Sequence, residues 1–145
     1  MTNEQYSFLM KAIEKTKKHH DVPISAIIVD QNDEIVSFGF NERERKKEIS
    51  AHAEIIAINK LAKKIKSLNL NDYKLITTLE PCVMCSEAIQ QAKIKTVDYL
   101  LKGDKYGVSR HLSVNDIKFK LKKVGTKEQV DYYKSIIKVF FQKLR

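Results

Sequence analysis

The chain has 145 residues and a mass of 16.8 kDa, which suits one domain with its own apolar core and is short for two. An apolar fraction of 43%, a charged fraction of 31%, a net charge of +9, four glycines and two prolines exclude a disordered or collagen-like chain. The apolar runs fall far short of the ~20 residues of a membrane span, and the first eleven residues lack a signal-peptide pattern. We therefore expect a single domain over residues 1–145, located in the cytoplasm, with no membrane partner.

Helical and strand patterns alternate from the first residues onward. Apolar residues at helical spacing predict a helix over 3–18, opened by a capping box at 2–5. Strand patterns follow at 24–29 and 34–40. The turn-forming residues between them predict a hairpin.

The pattern continues with a polar loop over 41–50 and a second helix, for which we expect Ser50 to be the N-cap. Pro81 is expected in the first turn of a third helix that extends to about residue 92. The other predicted elements are strands at 73–78, 96–101 and 119–124, a loop with a short helix at 103–115, and a terminal helix with an apolar stripe at Val130, Tyr133, Ile137, Phe140, Phe141 and Leu144. We expect this stripe to pack on the sheet.

The order of these elements indicates the fold class. From residue 72 onward, strands and helices alternate, which implies right-handed crossovers and parallel strand pairing. We therefore predict an α/β fold, with a mixed five-stranded sheet that starts with a hairpin, continues with parallel strands and lies between layers of helices.

Two short segments contain residues that bind metals. His52 and Glu54 open the second helix, and Cys82 and Cys85 open the third. The two cysteines are three residues apart, so they share one face of a helix. The partial positive charge at a helix N-terminus lowers the pKa of a thiol and favours metal binding. One histidine with two cysteines is a ligand set of zinc.

The number of ligands indicates the role of the metal. A structural zinc usually has four protein ligands, whereas three leave one position open for water, as catalysis requires. Bound zinc lowers the pKa of that water from about 15.7 to about 7, which gives hydroxide at neutral pH. Glu54, two residues after His52, can then act as the proton shuttle if both side chains lie at the end of their helix.

Three other interpretations stay open at this point. The Cys-x-x-Cys pair could form a thioredoxin-like redox disulfide, although His52 and Glu54 would then have no role. Alternatively, a fourth ligand could close a structural zinc site, for which the remaining histidines are His19, His20 and His111. A nucleic-acid-binding module with such a structural zinc is the third interpretation.

The two segments together resemble the zinc-dependent nucleoside deaminases, which have the signature H-x-E…P-C-x-x-C. Within that superfamily the chain is most similar to the bacterial tRNA-specific adenosine deaminases, and the resemblance covers nearly all of it. The stretches that carry this similarity are Val22-Pro23, Gly39-Phe40-Asn41, residues 51–56, residues 78–85 and Phe140-Phe141 with the basic residues after them.

This resemblance implies a reaction and roles for the motif residues. His52, Cys82 and Cys85 would bind one Zn²⁺ per chain, and Glu54 would carry a proton from the zinc-bound water to the leaving amine. The implied reaction is the hydrolytic deamination of adenosine to inosine at the wobble position of a tRNA anticodon.

The resemblance also implies the substrate contacts and the assembly. Asn41 would form a hydrogen bond with the purine, and the backbone of Ala53 would help to hold it. A cytidine-deaminase-like three-layer α/β/α fold, a homodimer and a tRNA anticodon stem-loop as partner are expected. The alternative is a deaminase of a free nucleobase, nucleoside or nucleotide (guanine, cytosine or deoxycytidylate), because the segment 102–107 differs from the sequence that is usual in the family.

Basic residues are concentrated at one end of the chain. Residues 118–145 contain nine basic and two acidic side chains, a net charge of +7, whereas the other 117 residues carry +2. The distribution indicates a phosphate-binding surface or, alternatively, the codon usage of an AT-rich genome, since 23 of the 27 basic residues are Lys.

Overall fold

In a computed structural model of the protein, residues 1–144 are described, and Arg145 of the predicted basic end lies outside them. The helices and strands are α1 (Asn3–Glu14), β1 (Ser25–Val29), β2 (Ile35–Phe40), α2 (Arg43–Lys46), α3 (Ala53–Ile65), β3 (Lys74–Leu79), α4 (Val83–Gln91), β4 (Thr96–Leu101), α5 (Val108–His111), β5 (Lys120–Lys123) and α6 (Lys127–Lys143). Among residues 1–144, no helix has both the length and the apolar character that crossing a bilayer requires.

The five strands form one sheet in the order β2-β1-β3-β4-β5. β1 runs antiparallel to both β2 and β3, whereas β3, β4 and β5 are parallel to one another. The predicted hairpin and the predicted parallel half of the sheet are therefore confirmed. Because Leu79 pairs with Leu101, the carboxyl ends of β3 and β4 lie side by side, and the residues that follow them are brought together.

Helices cover both faces of the sheet, which confirms the predicted three-layer α/β/α arrangement. On one face, α3 and α4 bury Ala57 and Ile89 against Leu75 of β3. On the other face, α1 packs Leu9 against the sheet and α6 packs Tyr133 there. Since α3 and α4 share one face, their amino ends can approach each other.

The predicted starts of two helices are wrong. The N-cap of α3 is His52, because a tight turn from the His52 N–H to the Ser50 carbonyl (2.8 Å) places Ser50 before the helix. Pro81 lies outside α4, whose N-cap is Cys82. Both N-cap residues have extended backbones, so each side chain can point away from its own helix.

Two other boundaries differ from the predicted pattern. α1 ends at Glu14, because the Thr16 hydroxyl donates to the Ile13 carbonyl (2.6 Å) and the chain tightens into a 3₁₀ turn at Lys17–His19. The predicted loop over 41–50 contains the short helix α2. The capping box at the start of α1 is confirmed, with Thr2 and Gln5 as its two members.

The apolar stripe of α6 is only partly buried. Tyr133 is fully buried, and its hydroxyl donates to the Pro23 carbonyl at 2.9 Å. Phe141 and Leu144 are 45% and 61% exposed, so the prediction that the whole stripe packs on the sheet is wrong at its carboxyl end. β4 is only six residues long, and α6 extends beyond it.

Candidate active site

The amino ends of α3 and α4 bring three metal-binding side chains together. His52 Nδ1 lies 3.4 Å from Cys85 Sγ and 3.8 Å from Cys82 Sγ, and the ligand atoms of all three residues lie within 4.8 Å of one another. In a tetrahedral zinc site, bond lengths of about 2.0 Å to nitrogen and 2.3 Å to sulfur separate the N and S atoms by about 3.5 Å. The three donors are thus already spaced as such an ion requires.

A fourth protein ligand is not found near this group within residues 1–144. His19, His20 and His111 do not belong to it, and His111 Nε2 instead contacts the Lys105 carbonyl at 2.8 Å. Both cysteines are free thiols. This arrangement fits an ion with an open position and does not support the closed structural site or the redox disulfide.

The electrostatics of the two thiols favour metal binding. Hydrogen bonding with Cys85, followed by hydrogen bonding with His52, lowers the pKa of Cys82 to about 4. The same contact and burial raise the pKa of Cys85. The hydrogen bond to Cys82 raises the pKa of His52. A lowered pKa favours the thiolate form of Cys82, and the thiolate is the form of cysteine that binds metals.

Glu54 lies in the first turn of α3, only 4% exposed. Burial raises the pKa of its carboxyl group, and the negative charge of Cys82 raises it further. A carboxyl group whose pKa is raised by burial binds a proton more readily than an exposed one, which suits a general acid and base.

Asn41 and Ala53 are joined to each other. Asn41 Oδ1 accepts the backbone N–H of Ala53 at 2.9 Å, and both residues are buried. Asn41 therefore satisfies one of the unpaired donors at the start of α3, which the His52 side chain leaves free. The predicted substrate contact thus lies directly beside the first residue of the helix that carries Glu54.

Close packing of β2 against α3 fixes the position of this helix relative to the sheet. A Cβ atom at Gly39 would overlap the Ala53 carbonyl and would lie 3.0 Å from the backbone nitrogen of Ala57. Only glycine allows the strand to approach the helix backbone this closely. The position of His52 and Glu54 thus depends on a residue of the hairpin.

We expect Gly39→Ala to reduce activity about 10²-fold per folded molecule, because a shift of about 1 Å in catalytic groups costs that much. Overpacking should also destabilise the fold by about 1–3 kcal/mol. The matched control is Gly125→Ala, which strains a residue at φ +98° beside Leu100. Thermal unfolding measures the loss of stability, and turnover measures the loss of activity. Equal activity in the two variants would contradict the claim that Gly39 sets the position of His52 and Glu54.

Two buried carboxylates near the site were missed by sequence reasoning. Glu80 is 3% exposed and accepts the backbone N–H groups of Gly103 and Ser109 at 3.3 and 2.7 Å. Asp21 is also 3% exposed, and it accepts the N–H groups at positions 44 and 45, in α2, at 2.6 and 3.3 Å. The partners are 23–29 residues away from each carboxylate, so local spacing carries no signal of these contacts.

Comparison with known proteins places the chain among the deaminases. Residues 2–101 match the family model of the cytidine and deoxycytidylate deaminase zinc-binding region, and this span contains all six predicted site residues. The tRNA-specific adenosine deaminase of Rickettsia bellii is 41% identical over 99 residues, 68% of each chain. That of Rickettsia typhi is 35% identical over 130 residues, which cover 87% of this chain and 88% of the relative.

A solved structure has the same fold. A chain from a study of A-to-I editing by tRNA:A34 deaminases at the wobble position superposes with a TM-score of 0.79. The superposition covers 91% of this chain and 99% of that one at 20% identity. This similarity confirms the predicted cytidine-deaminase-like architecture.

Proposed function

We propose that this chain hydrolyses adenosine to inosine at the wobble position of a tRNA anticodon. The chain belongs to the zinc-binding cytidine and deoxycytidylate deaminase family and, within it, to the tRNA-specific adenosine deaminases. The reaction consumes water and releases ammonia. The observation that carries the proposal is the three-donor group of His52, Cys82 and Cys85 with Glu54 beside it, inside the segment that matches the family.

The roles of the site residues follow from their positions. His52, Cys82 and Cys85 would hold one zinc ion, which supplies the Lewis acidity that makes water a nucleophile at neutral pH. Glu54 takes a proton from the attacking water and passes it to the ring nitrogen of the purine. It then takes the remaining proton of the hydroxyl group that has been added to the ring carbon and gives it to the amine, which leaves as ammonia while the carbonyl of inosine forms. Its buried position beside the ligands keeps the carboxyl group away from bulk solvent.

Asn41 would orient the base. Its Oδ1 is engaged by the Ala53 N–H, which fixes the amide plane and leaves Nδ2 to donate to an acceptor on the purine. Ala53 thus contributes through its backbone, by holding Asn41. The predicted single domain over 1–145, the homodimer and the cytoplasmic location belong to the same proposal. Light scattering and fractionation of cells measure the last two.

A substrate panel tests the proposed function. The zinc-loaded protein is incubated with anticodon stem-loops that carry adenosine at the wobble position, and separately with guanine, cytosine, adenosine and deoxycytidylate, and ammonia and inosine are measured. We expect release of ammonia from a stem-loop and formation of inosine at the wobble position only. Turnover of a free base, nucleoside or nucleotide with no turnover of any stem-loop would overturn the tRNA assignment.

Salt dependence tests the basic end of the chain. Lys138 and Lys143 of α6 are exposed, and neither forms an ion pair within the described residues. If they meet RNA phosphates, replacing both by Ala should weaken stem-loop binding and flatten the log–log salt slope by about 0.7–0.9 for each phosphate that a lysine no longer neutralises. Zinc content should not change.

The matched control for this pair is Lys17→Ala, which removes a lysine already paired with Glu14 at 2.8 Å. Binding and slope equal to those of the parent in the Lys138/Lys143 variant, at every salt concentration, would support the codon-usage explanation of the charge.

A further inference from the structure

Glu80 is a buried carboxylate that the proposed chemistry does not use. It follows β3 directly and lies two residues before Cys82. Within residues 1–144 it forms no ion pair, and its side chain accepts only backbone N–H groups, those of Gly103 and Ser109. A buried charge is costly unless it is satisfied, so these two hydrogen bonds compensate its burial.

The residues that Glu80 holds form a compact segment over 103–111, which we call the latched segment. A Cβ atom at Gly107 would lie 2.7 Å from Glu80 Cδ, and one at Gly103 would lie 2.9 Å from the Cα atom of Gly107. The segment therefore folds directly onto the carboxylate, and neither position has room for a side chain. A further bond, from the Val108 N–H to the Pro81 carbonyl (2.8 Å), ties it to the residue before Cys82.

The outer surface of the latched segment is polar and basic. Lys105, Tyr106 and Arg110 are exposed, as is the acidic Asp104, whereas Gly103, Gly107 and Val108 are buried. With two basic side chains and one acidic side chain, the segment has a net charge of +1. One end of the segment is thus fixed to the residues that lead into α4, and its solvent side presents positive charge next to them. A polyanionic substrate bound at Cys82 and Cys85 would lie close to this surface, because the Val108 N–H is bonded to the carbonyl of Pro81, the residue before Cys82.

We propose that Glu80 is a positioning residue that holds the latched segment in place for binding of the RNA substrate. It acts through the two backbone N–H groups and touches neither the zinc ligand atoms nor the reacting base. The substrate named in this inference rests on the proposed function. Loss of the latch should therefore weaken substrate binding and leave the chemical step nearly intact.

Glu80→Gln tests this role, because the amide keeps the size of the side chain but can accept through one oxygen only. Its NH₂ group faces the second backbone donor, so one of the two bonds is lost. Losing a charge-assisted bond should raise KM for an anticodon stem-loop about tenfold, with kcat within about twofold of the parent and zinc content unchanged. Trypsin should cleave after Lys105 and Arg110 about tenfold faster, because the segment opens locally.

Asp98→Asn is the matched control, since Asp98 is another buried carboxylate, 4% exposed, that pairs with Lys74 on the sheet and makes no bond to the latched segment. It should change neither KM nor the tryptic cleavage after Lys105 and Arg110. An unchanged KM and cleavage rate in Glu80→Gln would overturn the inference. So would equal losses in both variants, or loss of zinc together with kcat, because these indicate general destabilisation.

The two proposals fail in different ways. If the parent protein deaminates no stem-loop but turns over a small molecule, the tRNA assignment is wrong, whereas the tryptic cleavage still reports whether Glu80 holds the segment. If the parent deaminates a stem-loop and Glu80→Gln behaves as the parent does in KM and cleavage, the tRNA assignment stands and the positioning role is wrong.

Discussion

Glu54→Ala should retain its zinc and lose activity by about 10²–10⁴-fold, the usual cost of removing general acid–base help. Glu54 is not one of the three grouped ligands, so the metal-binding set stays complete without it. Its loss removes the group that we assign to each proton transfer of the reaction, so the effect should lie at the upper end of that range. Metal analysis together with single-turnover kinetics on a stem-loop measures both quantities.

Glu54→Gln is the matched control, because it keeps the size of the buried side chain and removes only its ability to take up and release a proton. It should be as inactive as the Ala variant while unfolding at the same temperature as the parent. If either variant lost zinc in proportion to its activity, Glu54 would be a ligand or a support of the ligands, and its assignment as proton shuttle would be wrong.

Strands β1 to β4 could be predicted because they are short, largely apolar segments between turn-forming residues and helices. β1 is buried at all five positions, and the crossover rule then determines the parallel pairing of β3 and β4. The site residues could be predicted as well, because His52, Cys82 and Cys85 are zinc-binding residue types and Glu54 is a proton-carrying type, and all four lie at the spacings that a catalytic zinc site requires. The structure places the three predicted ligands within one group.

The starts of α3 and α4 could not be predicted, because their N-cap residues are ones that the site needs and are not ordinary capping residues. Ser50 and Pro81 are the ordinary helix-start residues of these segments, yet the actual N-caps are His52 and Cys82, whose side chains make no capping hydrogen bond. Asn41, from a loop 12 residues away, provides the missing acceptor. A local rule fails here because the N-cap side chain is needed for the metal.

Contacts between residues that are far apart in the sequence also cannot be predicted from local sequence rules. Asp21 and Glu80 each accept two backbone N–H groups from a distant segment, and neither residue is part of a periodic pattern. The exposed end of α6 is another case, because the stripe continues in the sequence after the sheet beneath it has ended. Periodicity shows which face of a helix is apolar, but it does not show how far the partner extends.

Cys82→Ser and Cys85→Ser should each lose zinc and, with it, all measurable deamination, because each removes one of the three ligands grouped at the site within residues 1–144. Since the metal binds the folded chain, its loss also lowers stability. At a free zinc concentration 1,000 times Kd, a bound ion stabilises the native state by about 4 kcal/mol. For a domain of this size, that corresponds to a fall of about 10 °C in the unfolding temperature.

A chelator distinguishes the stability that bound metal provides from the stability that packing of the cysteine side chain provides. Treatment of the parent should lower its unfolding temperature to that of untreated Cys82→Ser, and the chelator should not affect either variant further. Cys85→Ser should unfold at a somewhat lower temperature than Cys82→Ser, because Cys85 is fully buried and Cys82 is partly exposed.

Ser86→Ala, a buried neighbour in α4 outside the ligand group, is the control and should keep its zinc and its response to the chelator. A variant of either cysteine with the zinc content of the parent would remove that residue from the ligand set, and a metal-free parent with a Cys82–Cys85 disulfide would favour the redox interpretation.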